Sequence, residues 1–169
     1  PLRRQRQMCI RDSYVPSPEL FPTTTAIQIE TDHPVQACMA SQYAGWQLAT
    51  EDYFGMGSGP MRAAAGKEKL FTDIGFTERT THVVGIIESG KTPSESVCKL
   101  IADACSVTPN NLTLAYAPTA SLAGTVQVVA RSLETALHKM HELGFDLARV
   151  ESGTGLAPLP PVASDDLAG

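Results

Sequence analysis

The sequence predicts a mixed α/β (α+β) fold of layered sheet and helices, and three observations carry that prediction. Short β-branched or alternating runs, "TAIQIE" (25–30) and "HVVGIIES" (82–89), have the composition and period of strands. In "VQVVARSLETALHKMHELGF" (126–145) the apolar residues Val126, Ala130, Leu133, Leu137 and Met140 recur at spacings of four, three, four and three, which is one face of a helix. Glycine and proline clusters punctuate these segments, and no internal repeat organises them.

Taken in order, residues 1–14 are basic and aperiodic ("PLRRQRQMCIRDS" and Tyr14) and read as a non-native or disordered leader. No persistent contacts are expected before about Val15, a flexible basic arm being the other reading. "VPSPELFP" is an extended lead-in, and "TAIQIE" the first strand. "TDHPVQACMASQYAGWQLA" follows as a helix, with Thr31 or Asp32 as N-cap and Pro34 in its first turn. "HVVGIIES" is expected to be a strand buried on both faces. The helix after it starts at "TPSE", where Thr92 caps, Pro93 takes the first position and Glu95 closes a capping box, and it runs to about Ser106. "NLTLAYAP" is a strand, "TASLAGT" a turn-rich loop, and Val126 to Gly144 one long helix stopped by its glycine. "SGTGLAPLPPVASDDLAG" lacks periodicity and is expected to be an irregular wall or tail.

A chain of 169 residues with 43% hydrophobic content suffices for a domain with a sizeable core. Its net charge of -5 argues against a nucleic-acid binder. No run reaches the ~18 apolar residues a membrane helix needs, so a soluble cytoplasmic protein is expected. The cysteines at 9, 38, 98 and 105 lack C-x-x-C spacing and read as free thiols. His138 and His141 have no third metal ligand signalled nearby, and a solvated helix face accounts for both, so no metal is expected.

Three stretches offer chemistry. "FGMGSGPMRAAAG" sets Gly57, Ser58 and Gly59 before Pro60 at a helix start, where exposed N–H groups attract anions or polar ligand edges; a plain tight turn explains the same glycines. Its spacing is neither that of a P-loop nor that of a dinucleotide fingerprint. "APTASLAGT" places Thr119 and Ser121 between a strand end and a helix, where hydroxyls cap or bind. No G-x-S-x-G elbow surrounds Ser121, so it is not read as a nucleophile. In "ETDHP" the pairing of acid and His33 is explained by Asp32 as a cap.

Arg131 and Glu134 belong to a second stripe of the long helix, Gln127, Arg131, Glu134, His138 and His141, about 100° around from the apolar one. They are expected side by side at the border of core and water. A surface ion pair of that kind contributes only about 0.3–0.5 kcal/mol, and the acid follows the base, the less favourable order. Helix stability therefore does not explain the pair.

The blocks "ETDHPVQACMASQYAGWQLA", "YFGMGSGPMRA", "IIESGKTPSESV", "LAYAPTASLAGTVQVVARSLETALHKMHELGFD" and "SGTGLAPLPPV", collinear from about Pro22 to Gly169, resemble methenyltetrahydromethanopterin cyclohydrolases. The resemblance implies an incomplete two-subdomain α/β fold, with residues 15–169 a partial domain cut at both ends. It implies hydration of 5,10-methenyltetrahydromethanopterin to the 5-formyl derivative in the one-carbon metabolism of methanogens and methylotrophs, without metal or prosthetic group, by a cytoplasmic homotrimer. The family's essential R-x-x-E pair falls on Arg131 and Glu134, with Gly57, Ser58, Gly59, Thr119 and Ser121 as walls of the pterin cleft. An inactive fragment, or a module that binds pterin or an anion without turnover, is the alternative.

Overall fold

The structure, a computed structural model, describes residues 11–16, 19–21 and 24–166. Along the chain run β1 (Arg11–Pro16), β2 (Thr25–Thr31), a π-helix α1 (Val35–Gln42), β3 (Trp46–Ala49), β4 (Phe54–Ser58), α2 (Pro60–Ala65), α3 (Lys69–Ile74) and β5 (Val83–Glu88). Then come α4 (Glu95–Ala104), β6 (Leu112–Ala117), α5 (Leu122–Val129), α6 (Ser132–Glu142) and β7 (Gly153–Pro158). The fold is α+β.

There are two sheets among the described residues, one of order β1-β2-β7 and antiparallel throughout, the other of order β3-β4-β5-β6. In the second sheet β3, β4 and β5 pair antiparallel while β5 and β6 run parallel, the crossover between them carrying α4, as a parallel pair requires. One face of this sheet closes on α2 and α4 around Leu48, Met61, Val83, Ile87, Val97 and Ile101. Helix α4 is amphipathic: Val97 and Ile101 are buried while Lys99 and Asp103 meet at 2.6 Å on the exposed side. A second core joins Ala37, Cys38 and Met39 of α1 to Leu137 of α6 and Leu147. A third sets Ile27 and Ile29 of β2 against Ala130.

Several expectations change. The leader's boundary moves, since β1 pairs with β2 from Arg11↔Glu30 to Pro16↔Thr25 and Arg11 to Tyr14 thus hold ladder contacts. Opposite charges face one another at that end of the ladder, which composition alone does not reveal. Residues 1–10, with Met8, Cys9 and Ile10, lie outside the described residues. The helix from Thr31 ends at Gln42, and "WQLA" turns back as β3 against β4. Thr31 does not cap that helix; its hydroxyl accepts from His33 N at 3.1 Å, and Pro34 takes the N-cap position with no side-chain cap bond. Ser94, not Thr92, precedes α4, and Thr92 instead shares a 2.7 Å hydrogen bond with Tyr116.

Strand β5 is buried on one face alone, with Val84 48% and Ile86 39% exposed on the other. The supposed irregular wall contains β7. Its glycines conceal it, because they are there for packing: a β-carbon on Gly155 would lie 2.5 Å from Ser132 Oγ, and one on Gly153 would lie 2.8 Å from Leu133. Cys38, Cys98 and Cys105 are free thiols. No helix of the described residues is long and apolar enough to cross a membrane.

Candidate active site

The long helix expected over 126–144 is two helices, and the break falls at Ala130 and Arg131. In an unbroken helix the Ala130 carbonyl would accept from the residue four positions on. Here it accepts from Gln42 Nε2 at 2.8 Å, an amide reaching across from the end of α1. A side chain inserted into the ladder is an established cause of a kink. Arg131 N turns back to Val128 O at 3.1 Å, and Arg131, at φ -83° and ψ 8°, becomes the N-cap of α6. Gln42 is itself placed by the wide π turn of α1, in which Tyr43 N donates to Cys38 O at 2.9 Å.

The break separates the two side chains of the R-x-x-E pair. Arg131 Nη2 donates to Glu88 Oε2 at 3.0 Å and to Gln127 Oε1. Glu88, at the end of β5, is held by its other oxygen, which accepts from Thr119 Oγ1 at 2.6 Å. Glu134 is only 4% exposed, and its carboxyl has no hydrogen bond or ion pair among the described residues. Burial pushes its carboxyl up to about 7, against the smaller opposing pull of the positive charges on Arg131 and Arg62. The expected surface ion pair is thus absent, and Glu134 is as deep as the core.

Arg62 is a second buried charge on this side of the molecule, 1% exposed. Its guanidinium is gripped by Glu68 through Nε–Oε1 at 2.9 Å and Nη2–Oε2 at 2.6 Å, and Nη1 donates to Met39 O at 3.0 Å. It lies over the rings of Tyr43 at 4.9 Å and Phe71 at 5.4 Å. Tyr43 also packs on His138 with ring centroids 4.7 Å apart, and His141 faces Asp73 at 3.7 Å, so the two histidines turn to different neighbours. Among the described residues no three His, Cys, Asp or Glu side chains are grouped as a metal site.

A cavity of about 670 Å³ opens beside the break, lined by Ser41, Gln42, Ser58, Gly59, Ile86, Gln127 and Ala130, with Tyr14 from β1. A second of about 240 Å³ shares Ile86, Ala123 and Gln127 and reaches Glu88 and Tyr116. Ser58 and Gly59 therefore line the cleft, and Gly59 takes φ 86° so that the chain can leave β4 and start α2. Gly57 does not line it; its α-carbon faces Met61 and Leu48 in the core. Thr119 reaches the site through Glu88, whereas Ser121 caps α5, accepting from Gly124 N at 3.0 Å. Arg131 touches the wall through Gln127, while neither Arg131 nor Glu134 lines the cavity itself; Glu134 follows Ala130 of the wall by four residues along the chain.

Sequence reasoning missed Gln42, Glu88 and Arg62. Glu88 had a usable signal, an acid at the carboxyl end of an apolar strand where α/β sites gather. Arg62 had a weaker one, as the lone charge in "PMRAAA".

Comparison with known proteins bears on the same residues. A family model described as Cyclohydrolase (MCH) matches residues 12–169. The chain is 51% identical to the methenyltetrahydromethanopterin cyclohydrolase of Methanococcoides burtonii over 142 residues, 83% of this chain and 44% of that protein. It is 46% identical to the protein of the same name in Rhodopirellula baltica over 164 residues, covering 93% and 49%. With that of Xanthobacter autotrophicus it shares 44% identity over 169 residues, covering 98% and 50%. The chain thus spans about half the length of the curated relatives it matches. With a family model covering nearly all of it, and relatives at this identity beside it, the chain belongs to the cyclohydrolase (MCH) family.

Proposed function

We propose that the protein hydrates 5,10-methenyltetrahydromethanopterin to 5-formyltetrahydromethanopterin, with Glu134 as general base and then general acid. The observation that carries this reading is a buried carboxyl held near neutrality, free of an ion pair, on the helix that follows Ala130 of the cleft wall. The substrate's methenyl carbon lies between two nitrogens as a delocalised cation and is already electrophilic. The task left to the protein is proton transfer. Glu134 takes a proton from the attacking water, and the new C–O bond gives a neutral tetrahedral adduct. Glu134 returns that proton to N10 as the C–N10 bond breaks, and the adduct's hydroxyl proton leaves to solvent as the formyl C=O forms.

Ser58, Gly59 and Thr119 serve as polar wall contacts to the pterin, and the chemistry asks for no metal or prosthetic group. The described fold from Arg11 onward is read as one part of a two-subdomain cleft, in a cytoplasmic homotrimer serving one-carbon metabolism in methanogens or methylotrophs.

The test is Glu134→Gln in the full-length enzyme, followed by loss of the methenyl chromophore. A fall in kcat of about 10²–10⁴-fold with pterin affinity retained is expected, since the amide keeps the shape and loses the basicity. A kcat near wild type would overturn the assignment. Competition of phosphate with pterin, without any turnover in wild type, would favour a binding module at Gly59 instead.

A further inference from the structure

Glu88 has no role in the chemistry above, yet it makes more contact with Arg131 than Glu134 does. Its two oxygens are both engaged, one by Arg131 Nη2 at 3.0 Å and the other by Thr119 Oγ1 at 2.6 Å, with its side chain 23% exposed. Gln127, four residues before Arg131, takes the same Nη2 from the other side. Glu134, three residues after Arg131 on the same stretch of chain, is within the ordinary reach of an i,i+3 partner but forms no ion pair with it. Two carboxylates thus compete for one guanidinium, and Glu88 holds it.

We propose that Glu88 is a positioning residue: tethered by Thr119, and with Gln127 beside it, it keeps the Arg131 guanidinium on the cleft side and so leaves the Glu134 carboxyl unpaired. This deepens the reading of Glu134 as the proton carrier and rests on it. An arginine closing on a carboxylate lowers the acid's pKa by about 1–3 units. A Glu134 so captured would be a poorer base at neutral pH. The competing carboxylate is thus what separates a proton carrier from a structural ion pair.

The other groups around Glu134 leave this assignment in place. Arg62 on α2 acts on it through charge but is itself locked to Glu68. Helix α1 brings Cys38 as its one titratable group, β7 brings none, and Arg149 of the 147–149 turn lies over Phe145. Tyr43 and His138 pack on one another. Arg131 is the cation free to choose between two acids.

The experiment uses the full-length enzyme carrying Glu88→Gln. It reads the Glu134 titration in the free protein by carbon NMR of labelled glutamate, and the pH profile of kcat in parallel. The proposal expects Glu134 to titrate at least one unit lower, the acid limb of kcat to move down with it, and kcat to change more than KM. Loss of the Glu88 charge would lower Glu134 by direct Coulomb interaction too, so the same substitution is repeated in an Arg131→Gln background. There only the smaller direct shift should remain; a shift that persists unchanged overturns the proposal. Thr119→Val is the second probe, since it frees Glu88 without altering any charge and should give a smaller shift in the same direction. An unmoved Glu134 titration in both Glu88→Gln and Thr119→Val overturns the proposal, and if Glu88→Gln does not fold, Thr119→Val alone decides. A shifted titration with an unmoved kcat profile would uphold the positioning of Arg131 and count against Glu134 as the proton carrier.

Discussion

A carboxyl that is 4% exposed and raised from its ordinary 4.5 to about 7 is more stable in the fold when protonated. Below pH 4.5 the group is protonated in folded and unfolded chains alike and costs nothing. As pH rises from there to about 7 the unfolded chain releases its proton and the folded one keeps it, so stability falls across that window. The loss amounts to about 3 kcal/mol, because each tenfold difference in proton affinity between the two states is worth roughly 1.4 kcal/mol. Glu134→Gln in the full-length protein should therefore match wild type in Tm near pH 4.5 and exceed it by roughly 5 °C or more at pH 8, read by calorimetry. The same substitution is expected to lower the proposed activity steeply, so one residue trades stability for chemistry. Arg131→Gln should also be severe in kcat. If the two residues act as a unit, the double variant falls within about tenfold of the worse single one, and additive losses would separate their roles.

At the scale of elements, the site depends on where a helix stops being a helix. Gln42→Met removes the amide that occupies the Ala130 carbonyl and frees that oxygen to accept from Glu134 N. The expected outcome is one continuous helix from α5 into α6, slower hydrogen exchange at the Glu134 amide, and a fall in kcat of about tenfold or more as the pair loses its geometry. Gly155→Ala tests the other support of α6, because the new methyl would lie 2.5 Å from Ser132 Oγ and 3.2 Å from Leu133 N. Forcing it in should cost about 1–3 kcal/mol, visible as a lower denaturation midpoint. Local pattern makes part of this legible: the stripe Ala130, Leu133, Leu137 and Met140 faces the core as its spacing says, and Gly144 at φ 78° ends the helix. The break is not legible, since its cause lies 88 residues away in Gln42. Nor are β3, β7 and the ladder of β1. A four-residue strand after a helix carries no periodicity of its own, and glycines that admit a neighbouring helix look like glycines in a loop. Residue types near a strand end or a helix start point to Ser58, Gly59 and Thr119, but not to Glu88 as the group that links Thr119 to Arg131.

For the molecule as a whole, the four-stranded sheet presents an apolar face that its own helices leave open. Phe54 is 58%, Val84 48% and Ile86 39% exposed, and the β4–β5 register sets all three on one side. Exposed apolar side chains of this kind promote association. The 169-residue chain produced alone is expected to elute as oligomers or aggregates and to bind a hydrophobic dye. Phe54→Lys with Val84→Lys should restore a monodisperse peak in light scattering, and a monodisperse parent chain would show the face to be harmless. Elsewhere the molecule is closed by charge. Arg62 can be desolvated only when Glu68, the rings of Tyr43 and Phe71, and the Met39 carbonyl have all arrived, because a buried guanidinium missing any of them is left short of partners. Three stretches of chain, the end of α1, α2 and the start of α3, are thereby made to assemble and come apart together. In native-state hydrogen exchange the amides of Met39, Gly66 and Phe71 should share one opening free energy.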